Sequence, residues 1–157
     1  CDVMIDLPLD EISDLTLKVF ELNGLILDIG DVFLKPLGLS SAKWQVLGAT
    51  ALAPSPLSVA HIAKKIGQSR QATQKTANYL VENGFAIFAE NQFHKRSNLL
   101  LLTEKGSAAH VAAMAAWMPL ASSIKSQIRA STIAQLSINL TELTAILRLQ
   151  EQEVLNQ

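Results

Sequence analysis

Apolar residues recur at helical spacing near both ends of the chain, in steps that alternate between three and four residues. The first seam consists of Ile12, Leu15, Val19, Leu22, Ile26, Ile29 and Phe33. The second seam consists of Ile133, Leu136, Leu140, Leu143 and Leu147. This spacing gathers apolar side chains on one side of a helix, where they pack against other helices. Because two such seams offer more apolar surface than one subunit would cover, the pattern predicts a homodimer.

Between the seams, the sequence predicts two short helices joined by a tight turn. Ser58 can cap the first helix, and Gly67 can end it with a positive φ. Only Gln68 separates this glycine from Ser69, the next capping candidate. The apolar stripe of the first helix consists of Val59, Ile62 and Ile66. A helix, a glycine turn and a second helix are typical of a helix-turn-helix.

The second helix is predicted over residues 69–83, closed by Gly84, with one polar and one apolar face. The residues expected to face inward are Ala72, Thr76, Tyr79 and Leu80. Amide and cationic side chains pair with base edges in a DNA major groove. The DNA contacts predicted from this helix are Ser69, Arg70, Gln71, Thr73, Gln74, Lys75 and Asn78. The alternative is an ordinary solvated face, which the amide-rich, acid-poor composition disfavours.

Two β-compatible runs follow, residues 85–89 and 98–103, and the polar segment between them predicts a hairpin loop. The loop carries His94, Lys95 and Arg96, placed to meet phosphates or the minor groove. Thr103 is then a cap for the next helix. The order of these elements predicts a mainly α fold with a small β-hairpin wing, a winged helix-turn-helix.

Residues 39–106 resemble the MarR family of bacterial transcriptional regulators. The matching stretches are residues 39–47, 59–63, 80–85, 94–96 and 101–106. Their order and spacing together are specific, and the flanking helices fit the family in length and place. One position departs from the pattern, because the family's wing commonly has Asp-x-Arg where this chain has His94-Lys95-Arg96.

The resemblance implies a single MarR-type domain over residues 1–157, with the DNA-binding region at 39–106. Residues 9–37 and 106–157 would be dimerisation helices, contributing Ile12, Leu15, Leu22 and the second seam. Double-stranded DNA, a second copy of the chain and a small-molecule effector are the implied partners. Trp44 and Trp117 are candidates for the effector pocket, although core packing is the commoner role of such tryptophans. The implied function is a ligand-responsive repressor on a pseudo-palindromic operator.

The distribution of charge supports a local rather than a global nucleic-acid surface. The net charge is −1, but residues 61–96 hold six Lys or Arg and two acids, a local net charge of +4. Residues 1–31 hold one Lys and eight acids, a net charge of −7. A basic patch of this kind is the electrostatic sign of DNA binding, and we expect the acidic first helix to lie away from DNA.

Other functional classes find little support in the residues. The three histidines are scattered, and no nucleophile, phosphate-loop or metal-ligand pattern appears, so we expect no enzyme activity, metal or cofactor. The uncharged stretch 106–124 is rich in Ala and Ser, which favours a closely packed buried helix over a membrane span. The lone Cys1 fits a reducing cytoplasm. Two alternatives stay open: a winged helix used for protein contacts, and a redox- or metal-sensing regulator.

Overall fold

The computed structural model describes residues 10–94 and 96–156. Cys1 and Lys95, both considered above, lie outside the described residues. The described chain forms α1 (Glu11–Leu34), a short 3₁₀ helix (Lys35–Leu37), α2 (Ser41–Ala51), β1 (Leu57–Ser58), α3 (Val59–Ile66), α4 (Arg70–Glu82), β2 (Ala86–Ala89), β3 (Leu99–Leu102), α5 (Glu104–Gln127) and α6 (Ala130–Leu155). The predicted fold class, mainly α with a small β wing, is confirmed.

Helix α1 begins at a side-chain cap. One carboxylate oxygen of Asp10 accepts hydrogen bonds from the backbone N–H groups of Ile12 and Ser13, each at 2.9 Å. The other oxygen accepts from the Ser13 hydroxyl at 2.8 Å. The backbone hydrogen bond from Ser13, followed by the one from its hydroxyl, holds the pKa of Asp10 below its ordinary value. The charged carboxylate is therefore stabilised at the positive end of the helix.

The helix-turn-helix follows the predicted capping pattern closely. The Ser58 hydroxyl accepts from the backbone of His61, and Gly67 ends α3 with a φ of 68°. Ser69 then caps α4 by accepting from the backbone of Ala72 at 3.1 Å. Gly84, two residues beyond α4, also adopts a positive φ, of 75°. Only glycine takes up this left-handed backbone readily, which explains why the two helices end where they do.

The three strands form one antiparallel sheet in the order β1-β3-β2. In the hairpin, Ala86 pairs with Leu102 and Ala89 with Leu99. On the other side of β3, Leu57 pairs with Leu100. The hairpin was predicted, whereas β1 was not, because two residues are too few to show an alternating pattern.

The main hydrophobic core lies among α2, α3, α4 and the sheet. Its largest fully buried side chains are Leu34, Leu47, Ile62, Leu80, Leu100, Val46 and Thr73. On α4 the buried positions are Thr73, Ala77 and Leu80. The predicted inward face was therefore wrong for Ala72 and Tyr79, which are exposed, and only Leu80 of that set is fully buried.

The chain divides into two compact units, a first that ends at Trp117 and a second that begins at Met118. The second unit contains α6, and none of the residues of α6 is fully buried. The stretch 106–124 is helical as expected and contains Pro119. Its predicted burial was wrong, however, since only Gly106 and Ala113 of α5 are fully buried. Among the described residues, no helix is both long and apolar enough to span a bilayer.

Candidate nucleic-acid interface

Helix α4 presents a polar face to solvent. Arg70, Gln71, Lys75 and Asn78 are exposed, and the last three lie on the side away from the buried face of the helix. Gln74 is half-buried, and its amide donates a hydrogen bond of 2.8 Å to the Asn78 side chain. The face thus offers two amide groups that are already oriented by each other, flanked by two cations.

Thr73 does not belong to this face. Its side chain is fully buried, and its hydroxyl donates to the backbone oxygen of Ser69 at 3.0 Å. Of the residues predicted to touch DNA, Thr73 is therefore corrected to a core residue that fixes the first turn of α4. The sequence assignment failed because Ser and Thr satisfy their hydroxyls within a helix as readily as they face solvent.

Contacts from α2 hold α4 in place. The Lys43 ammonium lies 3.9 Å from the centre of the Tyr79 ring and donates to the backbone oxygen of Gly38 at 3.3 Å. In the turn before α4, the Gln68 amide donates to the Gln45 side chain at 2.6 Å. Both ends of α4 are thereby tied to α2, so the exposed face has a defined orientation.

The wing loop is shaped by Asn91. Its side-chain oxygen accepts from the backbone N–H groups of Phe93, at 3.0 Å, and His94, at 3.3 Å. The backbone N–H of Ser97 donates to the oxygen of His94 at 2.9 Å, closing the turn. His94 and Arg96 are exposed at this end of the hairpin. Because Lys95 is not described, its predicted contact with DNA stays a prediction.

A cleft of about 240 Å³ separates α4 from the wing. Eight described residues line it: Val59, Ala60, Arg70, Gln74, Phe88, Arg96, Ser97 and Asn98. Two of them are arginines, and none is acidic. The structure thus brings together Arg70, from the start of α4, and Arg96, from the wing, which are 26 positions apart in the sequence.

The base of the wing is joined to α5 by Thr103. Its hydroxyl donates to the backbone oxygen of Gly84 at 2.7 Å and accepts from the backbone N–H of Gly106 at 3.1 Å. The latter bond caps α5 as predicted. The Lys105 ammonium adds a bond of 2.8 Å to the backbone oxygen of Asn83. The wing and α4 are consequently anchored at one point.

The sequence profile of the MarR family matches residues 37–97. This segment contains α2, the helix-turn-helix and the wing as far as Ser97. Residues 37–97 belong to the MarR family.

Three similar proteins extend this result. An uncharacterized protein of Mycobacterium tuberculosis is 40% identical over 97 residues, which are 62% of this chain and 66% of that protein. The match thus spans slightly less than two thirds of the relative's length. A mutant MarR of Escherichia coli complexed with operator DNA has a TM-score of 0.71 at 22% identity, covering 85% of this chain and 95% of that one. CouR of Rhodococcus jostii, bound to p-coumaroyl-CoA, has a TM-score of 0.73 at 18% identity, covering 83% and 92%. The chain therefore has the fold of MarR-family transcriptional regulators.

The two tryptophans considered for an effector pocket pack against each other. Their ring centroids are 5.8 Å apart, and the Phe33 ring lies 5.4 Å from Trp44 and 5.8 Å from Trp117. All three side chains are half-buried. The rings join the first helix, α2 and α5 into one aromatic cluster.

The two apolar seams remain largely uncovered. The predicted dimer residues that are exposed are Ile12, Leu15, Leu22, Ile133, Leu136, Leu140 and Leu147. Leu143 is half-buried. Each of these side chains therefore leaves apolar surface in contact with water in the single chain.

Two polar residues of the cleft were not predicted from the sequence as site residues. Ser97 and Asn98 line it beside Arg96 but were assigned to the loop and the strand. Their only sequence signal is that they directly follow the basic wing segment. Among the described residues, no group of three His, Cys, Asp or Glu side chains is placed to hold a metal ion.

Proposed function

We propose that this protein is a sequence-specific DNA-binding transcriptional regulator, a repressor that acts as a homodimer on a pseudo-palindromic operator. Each subunit would place α4 in a major groove and the wing at the neighbouring minor groove. The E. coli MarR structure complexed with operator DNA supports this function through its shared fold.

The observation that carries the proposal is the exposed face of α4. Its side chains are amides and cations, and glutamine or asparagine can pair with adenine while arginine or lysine pairs with guanine. The acid-free cleft and the exposed Arg96 lie beside this face. Lys64 and Lys65, both exposed on α3, add positive charge that suits contacts with phosphates.

Dimerisation is supported by the uncovered seams. Leu22 is 52% exposed and Leu136 is 50% exposed, although both lie within regular helical seams. Large contiguous apolar patches are uncommon on soluble monomers, and they mark interaction surfaces. A second copy of the chain would cover them. The α4 helices of the two copies would then match the two halves of a two-fold operator.

Release of DNA by a small molecule is the second part of the proposal. CouR, which shares the fold, is bound to p-coumaroyl-CoA. In this chain the aromatic cluster of Phe33, Trp44 and Trp117 lies where the first helix meets α2 and α5. A ligand that displaced one ring would alter this junction. Because the chain has only two tryptophans, its intrinsic fluorescence gives a direct readout.

The test is binding of the purified protein to the region upstream of its own gene, measured by fluorescence anisotropy with unrelated DNA as competitor. We expect saturable binding that unrelated DNA displaces poorly, and a protected, roughly palindromic site in a footprint. Binding that unrelated DNA displaces equally well would contradict a sequence-specific regulator. Absence of DNA binding would instead favour a winged helix used for protein contacts.

A further inference from the structure

We propose that the cleft between α4 and the wing, lined by Arg70 and Arg96, is a seat for a single phosphate group. This inference rests on the proposed function for the source of the phosphate, which would be the DNA backbone. It assigns Arg96 a different role from minor-groove insertion, because it pairs this residue with Arg70.

The composition of the cleft supports an anion. Arg70 and Arg96 both contribute to its lining, together with Gln74, Ser97 and Asn98. Every one of these five side chains can donate a hydrogen bond, and guanidinium groups match the geometry of phosphate oxygens. Two cations that share a small cleft without an acid repel each other, and a bound anion removes that repulsion.

Among the described residues that line the cleft, no acidic side chain is present to balance the charge of the two arginines. None of the eight described residues of the cleft is a carboxylate. In the described part of the chain, the one ion pair joins Lys18 to Asp14 on α1, so neither arginine is paired with an acid there. The cleft volume of about 240 Å³ is large enough for a phosphate group.

Because the cleft lies between α4 and the wing, a phosphate bound there would connect these two elements. Arg70 is the first residue of α4, whereas Arg96, Ser97 and Asn98 belong to the wing. One phosphate held by both sides would fix the wing relative to the recognition helix. The seat would therefore set the register of the protein on DNA without reading sequence.

The first arm of the test is the salt dependence of DNA binding for Arg70→Gln, Arg96→Gln and the double variant. The slope of log K against log salt changes by about 0.9 for each phosphate that the protein no longer neutralises. A shared phosphate predicts that the slope of the double variant falls by about 0.9, whereas two separate phosphates would give about 1.8. Arg129→Gln is the matched control, since Arg129 precedes α6 and is not part of the cleft. Its slope should be unchanged.

The second arm separates a phosphate contact from insertion of Arg96 in the minor groove. A phosphate contact predicts the same fold-loss for Arg96→Gln on operators with A·T-rich and G·C-rich flanks. Insertion predicts a larger loss on the A·T-rich flank, because its narrow groove attracts arginine. A loss of affinity confined to the operator with the A·T-rich flank would contradict the proposed phosphate site.

The third arm needs no DNA and uses inorganic phosphate as the probe. In NMR spectra of the wild-type protein, the Nε–Hε signals of Arg70 and Arg96 should shift together during a phosphate titration at constant ionic strength. In each single variant, the signal of the remaining arginine should no longer shift. A shift of one arginine alone, or of neither, would overturn the seat even if operator binding is intact. If the wild type binds no DNA, the proposed function fails, and joint shifts would then identify free phosphate as the source.

Discussion

The backbone oxygen of Phe85 occupies the space that a side chain at Gly106 would need. A Cβ atom built on Gly106 would lie 1.9 Å from this oxygen, far inside van der Waals contact. The same oxygen accepts a hydrogen bond of 3.0 Å from the backbone N–H of Thr103. The close approach is what joins the start of α5 to the start of the wing, and it requires glycine.

Replacing Gly106 with Ala should therefore destabilise the protein, although alanine is the better helix former. Forcing extra volume into a packed site costs about 1–3 kcal/mol. Gly24→Ala is the matched control, since a Cβ atom at Gly24 on α1 would meet nothing within 4 Å. That change should stabilise the protein by about 0.5–1 kcal/mol through helix propensity. Thermal unfolding of both variants gives the comparison, and a more stable Gly106→Ala protein would disprove the steric argument.

The contrast between these glycines shows where sequence is informative and where it is not. Gly67 and Gly84 could be assigned from their neighbours, because a helix end is a local event that needs a positive φ. The requirement at Gly106 could not, because it comes from a carbonyl 21 positions earlier in the chain. Local capping is encoded locally, whereas close packing depends on the assembled fold.

The same distinction applies to the candidate interface. The polar face of α4 was predictable from spacing, and Arg70, Gln71, Lys75 and Asn78 are exposed. The burial of Thr73 was not, since a threonine is compatible with either face of a helix. The cleft shared by Arg70 and Arg96 depends on the wing folding back beside α4, which no helical or strand periodicity describes.

The first functional prediction is that the protein is a dimer at micromolar concentration. Light scattering should report twice the mass of the 17.0 kDa chain. Leu140→Asp should weaken dimerisation, because it places a charge in the seam of α6. It should weaken DNA binding as well, because a two-fold operator is bound by the α4 helices of both subunits. Leu143→Asp should do the same.

Leu149→Asp is the control for the seam. Leu149 is 62% exposed on the same helix, and nine residues of helix place it about half a turn away from Leu140. We expect this variant to remain a dimer. A monomeric wild type, or equal dissociation by Leu140→Asp and Leu149→Asp, would rule out the seam as the interface.

The second functional prediction concerns base recognition by Gln71. This residue is exposed on α4 and is free of the amide pair formed by Gln74 and Asn78. Gln71→Ala should weaken binding to the cognate site by about 1–3 kcal/mol and relax the sequence preference. Gln74→Ala should have a similar effect, but it also releases Asn78 from its hydrogen bond.

Lys64→Ala and Lys65→Ala provide the comparison with phosphate contacts. They should weaken binding to all sequences alike and flatten its salt dependence. Binding measured on the operator and on single-base variants of it distinguishes these patterns. Unchanged specificity in the Gln71→Ala protein would mean that another face of α4 meets the bases.

The last prediction concerns Arg96, which is exposed at the end of the wing. Arg96→Ala should weaken operator binding at every pH, because arginine keeps its charge throughout. His94→Gln changes another exposed side chain of the same loop without removing this charge, so a smaller loss of affinity is expected. Fluorescence anisotropy on the operator gives the comparison. An Arg96→Ala protein that binds the operator as tightly as the wild type would mean that the wing arginine does not contact DNA.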